Sequence, residues 1–81
     1  MTDPTPVTVR ILDREYQVMC SPEERRGLVD AALYLDSRMR EIRESGRLSS
    51  VEKIAVMCAL NLTDELLRLR QQKLDREEQV E

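Results

Sequence analysis

The sequence predicts an α+β fold: a β-hairpin followed by two α-helices, the second long and forming a dimeric coiled coil or helix bundle. Three observations lead there. Two short runs near the start alternate apolar and polar residues, two Ser-led helix starts follow, and leucines recur at heptad spacing in the last third.

Residues 1–6, MTDPTP, carry two prolines and no apolar pattern beyond the first Met, which predicts a flexible lead-in. Val7, Val9 and Ile11 then alternate with Thr8 and Arg10, and Tyr16, Val18 and Cys20 repeat the alternation. A period of two places alternate side chains on one face, the signature of a half-buried strand. The polar connector Asp13-Arg14-Glu15 predicts an antiparallel hairpin with Asp13 in a turn position and Arg14 at the tip. A lone hairpin is marginal in water, so it must lie against helices or join a partner's strands.

Ser21-Pro22-Glu23-Glu24 predicts the first helix start, as a capping box with Pro at the first helical position and negative charge at the N-terminus. Leu28, Ala31, Ala32, Leu35, Met39 and Ile42 recur at three- and four-residue spacing, while Arg25, Asp36, Arg40 and Arg43 fill other faces. Ser45-Gly46 supplies the stop, with Gly46 free to take the left-handed cap conformation. Ser49-Ser50-Val51-Glu52 repeats the capping pattern and opens a second helix expected to run to near residue 80.

That helix carries two apolar stripes. Val51, Ile54, Ala55, Cys58, Leu62, Leu66 and Leu69 form one, and Met57, Leu60, Leu67 and Leu74 the other. One helix of so short a chain cannot bury both on its own hairpin and first helix. The second stripe is therefore assigned to an oligomer interface. The tail QQKLDREEQVE keeps only Leu74 and Val80 apolar, so the seam is expected to fade past Leu74. The organisation that follows is a lead-in (1–6), a head of hairpin and first helix (7–48), and a second helix (49–81) that completes the head and starts a stalk.

Composition narrows the function. At 81 residues the chain is one domain at most, and one this small buries only about 60% of its unfolded surface, which favours self-association. Charged residues reach 36% with both signs mixed and a net charge of -3, so no general field attracts a polyanion and nucleic acid is not an expected partner. No run approaches the ~20 apolar residues of a membrane span, and MTDPTPVTVR lacks a charged-then-apolar export signal. A cytoplasmic protein with no membrane partner is expected.

Cys20 and Cys58, with no His in the chain, cannot assemble the usual zinc ligand sets, and they read as small semi-buried hydrophobes rather than a disulfide. With no Gly-rich loop, no His and no paired ligand motif, the chain is expected to have neither catalytic site nor cofactor. Glu23/Glu24 and Glu77/Glu78 are adjacent in sequence and point in different directions on a helix, which makes them solvated charge.

What remains is charge around the joint between the helices, Arg43, Arg47 and Glu52, with Arg14 at the hairpin tip. Residue type alone leaves two readings. One is a solvated loop face; the other is a surface for an acidic protein partner, since Arg pairs bidentately with carboxylates. A reading of another class, a small dimeric regulator that inserts its hairpin into DNA, fits poorly. The outward positions Thr8, Arg10 and Gln17 have acidic Asp13 and Glu15 beside them.

The order of parts resembles a known family. VTVRILDREYQVMCSPEE, LVDAALYLDSRMREIRE and VEKIAVMCALNLTDELL resemble the head of ZapA proteins, over residues 7–69. The most specific marks are a strand pair ending in Cys and Pro, a D-x-R-M-like segment on the first helix, and an A-L-N-L-x-x-E-L core on the second. The resemblance implies a head of hairpin and two helices, a coiled-coil stalk, and dimers that pair into tetramers bridging protofilaments of the tubulin-like protein FtsZ at the midcell division ring. Arg14, Arg43, Arg47 and Glu52 match the family's charged FtsZ-facing surface, and Asp13 stands where the family often has Gly. Family members usually carry a longer stalk, which holds part of the tetramer contact. The dimer is therefore implied more directly than the tetramer.

Overall fold

The structure is a computed structural model that describes residues 3–46 and 50–79. Its elements are β1 (Thr5–Ile11), β2 (Arg14–Cys20), α1 (Arg25–Glu44) and α2 (Val51–Gln79), with the strands paired antiparallel in one two-stranded sheet. A hairpin followed by two helices, the second long, is the α+β layout that periodicity and capping residues predict.

β1 begins at Thr5, two residues before the alternation, with Pro6 opposite Met19. Pro is tolerated there because this is an edge strand. Val7 faces Val18 and Val9 faces Tyr16 across the ladder, so one face of the hairpin is apolar. α1 covers only part of that face: Val7, Val9 and Cys20 pack on Ala32 with Leu28 and Val29 alongside, while Tyr16 and Val18 stay exposed.

The turn differs from the expected Asp13-Arg14-Glu15 connector. It is Leu12-Asp13, with Ile11 paired to Arg14 and both turn residues at positive φ, 49° and 66°. Two left-handed residues in succession are the type I′ geometry that matches strand twist, and it ordinarily selects Asn and Gly. Leu12 accepts the angle because its side chain is buried against Met39, Ile54 and Cys58. Its amide also donates to Asp36 Oδ1 at 2.7 Å.

α1 starts at Arg25, later than the Ser-Pro-Glu-Glu signal suggests. Residues 22–24 form a turn in which the Glu24 amide bonds the Ser21 carbonyl at 3.0 Å, and the Ser21 hydroxyl and amide both donate to the Glu24 carboxylate. The box is thus half made, from the Glu side. At the far end Gly46 takes φ 77° and bonds back to the Arg43 carbonyl. For α2 the cap is Ser50, whose Oγ accepts from the Lys53 amide at 3.1 Å. Ser49 lies outside the described residues.

The second core cluster closes the joint of hairpin, α1 and α2. Leu12, Met39, Ile54 and Cys58 are buried, with Leu35, Ile42, Val51, Ala55 and Leu62 packed around them. Leu62 is the last residue of α2 packed on this core. Leu66 and Leu69, expected on the inner stripe, are exposed, because they lie beyond the last apolar side chains that the hairpin and α1 pack against α2. A radius of gyration of 16.4 Å, against about 12 Å for a compact chain of this length, measures the departure from a compact shape.

Candidate functional site

Among the described residues four ion pairs link the elements of the head or brace α1, and they bear on which charges are left for a partner. Arg38 donates to both carboxylate oxygens of Glu65, and its Nη1 also reaches the Tyr34 hydroxyl at 2.8 Å. This fork fastens α1 to α2 across 27 residues of sequence, and it holds the Glu65 carboxyl below its ordinary range and the Arg38 guanidinium above its own. Asp36 accepts from Arg40 Nε at 2.9 Å as well as from the Leu12 amide, and both bonds lower its carboxyl, Arg40 the more.

Asp13, at the turn, receives Arg40 Nη2 at 3.0 Å and Arg43 Nη1 at 3.4 Å. These bonds keep its carboxyl below the usual carboxylate value, with Arg40 again the main cause. The segment D-x-R-M therefore has a physical reading: Asp36 latches the hairpin turn, Arg38 latches α2 and Met39 fills the core. The Glu of A-L-N-L-x-x-E-L is the other half of the second latch.

Of the four charged residues named from sequence, the structure gathers two. Arg14 opens β2 beside Asp13, and Arg43 touches Asp13 from the last turn of α1, so both stand at the turn end of the head. Glu52 lies in the first turn of α2, exposed, in a shallow depression with Lys53, Val56 and Met57. Arg47 lies outside the described residues. Sequence reasoning missed two groups of paired charges, Asp13–Arg40–Asp36 and Arg38–Glu65. Their partners are far apart in sequence, and only the i,i+4 pair Asp36/Arg40 was visible locally.

The second feature is apolar. Met57, Leu60, Leu67 and Leu74 are all exposed on the single chain, Leu60 at 60% and Leu67 at 54%. In addition, an open groove of 420 Å³ runs between the hairpin face and the helices, lined by Tyr16, Val18, Leu28, Leu35, Val51 and Ala55 among others. Large apolar patches exposed on a single chain mark interaction surfaces.

Cys58 is fully buried and its burial pushes the thiol upward, away from reactivity; Cys20 is also buried. Among the described residues no group of three His, Cys, Asp or Glu side chains comes together as a metal site. No described helix is long and apolar enough to cross a membrane.

Comparison with known proteins agrees with this architecture. Residues 7–81 match the family described as Cell division protein ZapA. Cell division protein ZapA of Pseudomonas aeruginosa is 48% identical over 77 residues, which span 95% of this chain and 73% of the relative. A solved structure described as an unknown conserved bacterial protein from Pseudomonas aeruginosa PAO1 superposes with a TM-score of 0.77 at 49% identity, over 91% of this chain and 80% of that one. On its folded head, its long second helix and these matches, the chain belongs to the ZapA family, and its role lies in cell division.

Proposed function

We propose that the chain is a non-enzymatic adaptor that binds FtsZ and cross-links its protofilaments, promoting assembly of the division ring at midcell. The observation that carries the reading is the uncovered α2. Its Met57, Leu60, Leu67 and Leu74 are exposed on the single chain, and pairing two such helices through them puts two heads on one particle, the minimum for bridging filaments. Residues 7–48 with the start of α2 then serve as head and the remainder of α2 as stalk.

The filament-facing surface is assigned to Arg14, Arg43, Arg47 and Glu52. Arg14 and Arg43 are exposed at the turn end and off the apolar faces, so they are available to acidic groups at little cost to folding. Homodimers are the assembly unit, with tetramers formed by pairing of dimers, and the site of action is the cytoplasmic face of the septum.

The test is co-sedimentation with polymerised FtsZ together with solution mass by ultracentrifugation. The wild-type chain should pellet with FtsZ and sediment as a dimer or larger. Reversing Arg43 and Arg47 to Glu should abolish pelleting while mass and helical content hold, because surface substitutions usually move stability by only about 0.5 kcal/mol, whereas like charges across a contact oppose encounter. Undiminished pelleting of the double variant removes this surface from the interaction.

A further inference from the structure

The turn places a carboxylate in the middle of the basic end of the head. Asp13 contacts Arg40 and Arg43, and the two contacts differ in kind. Arg40 is also held by Asp36, so its guanidinium stays paired and oriented when Asp13 is removed. Arg43 makes no second ion pair among the described residues. Among the described residues one of its five N–H donors is engaged, at 3.4 Å, longer than an ordinary N–H···O bond. Side-chain exposure is 40% for Arg43 and 63% for Asp13, so water and solutes reach both. Arg43 is therefore occupied loosely, by an internal carboxylate that an external one can replace.

We infer that Asp13 is a built-in competitor for Arg43: an acidic partner surface reaches Arg43 by displacing Asp13, and the turn residue thereby weakens the interaction and flattens its dependence on salt. The inference rests on the FtsZ reading above. In the exchange one exposed ion pair breaks as another forms, so added salt screens both sides of the equilibrium alike. With the turn uncharged, Arg43 meets the partner without a hydrogen-bonded carboxylate to displace, and the pair is gained outright. The turn end also becomes one charge more positive, which favours encounter with an acidic surface.

The experiment measures FtsZ binding by Asp13→Asn and Asp13→Gly across a salt series, each also in an Arg43→Ala background. Asn and Gly both accept the left-handed angle at this position, so either can stand in if the other fails to match wild-type helical content and mass. Binding should tighten about two- to fivefold, the range of an exposed ion pair, with a steeper salt dependence, and the gain should vanish once Arg43 is Ala. If Arg43→Ala alone weakens binding but the Asp13 variants bind no better than wild type, the competitor role is overturned and the FtsZ surface stands. If Arg43→Ala has no effect, or the wild-type chain does not bind FtsZ, the surface assignment fails and this inference fails with it.

Discussion

Replacing Asp36 with Ala should destabilise the head by about 1–3 kcal/mol, the cost of leaving a buried donor without its acceptor. The donor is the Leu12 amide, 2.7 Å from Asp36 Oδ1, in a residue whose surroundings exclude water. Loss of the partly exposed Asp36–Arg40 pair adds little. For a domain of this size each kcal/mol moves the melting temperature by about 4–8 °C, so circular dichroism at fixed protein concentration should show a drop of about 5–20 °C. Asp36→Asn keeps an oxygen for the Leu12 amide and should fall by less than half of that. The folded Asp36 carboxyl lies below its ordinary value of 3.8, so the native state binds fewer protons than the unfolded one. Its charge-dependent stabilisation is then complete above that value and lost as pH falls through the lower, folded one. The gap between wild type and Asp36→Asn should accordingly be open at neutral pH and close on acidification below pH 3.8. An Ala variant that melts with the wild type, or an Asn variant as damaged as the Ala one, would refute the latch.

Ile54 is fully buried between the turn and both helices, and Ile54→Ala should cost about 2–5 kcal/mol in urea unfolding; an unshifted midpoint counts against the assigned core. Leu60 and Leu67 touch little within one chain, so changing both to Glu should shift the sedimenting mass to that of a monomer, and an unchanged mass removes them from the interface. Gly46→Val forces a β-branched residue into φ 77° with open space around it, a purely conformational cost of about 1–2 kcal/mol, and unaltered melting means the joint relaxes elsewhere.

The elements were legible because each rests on local chemistry: alternation in the strands, three-and-four spacing in α1, Ser50 and Gly46 at the helix ends. The turn was not, since Leu is a poor residue for positive φ and its position depends on Asp36, 24 residues away. Periodicity also sets the face of Leu66 and Leu69 without revealing that the apolar core ends at Leu62, so their exposure could not be read from spacing. Arg14 and Arg43 were named by type and place, and both stand at the turn end, whereas the internal engagement of Arg43 by Asp13 needed the fold. Arg38 and Glu65 lay inside the two stretches that carry the family resemblance, yet as sequence they gave no sign of pairing with each other.

An unbroken helix leaving a folded head behaves as a screw-threaded spacer. α2 runs 29 residues, and each residue added to or removed from its outer half changes reach by about 1.5 Å and azimuth by about 100°. A filament lattice that accepts a head only at one bearing is therefore indifferent to small changes in reach but not to the accompanying rotation. A seven-residue insertion nearly restores the bearing while lengthening the arm by about 10 Å, and a two-residue insertion lengthens it by only about 3 Å but turns the head through about 200°. On the proposed bridging role, stalk length is constrained in phase before it is constrained in distance.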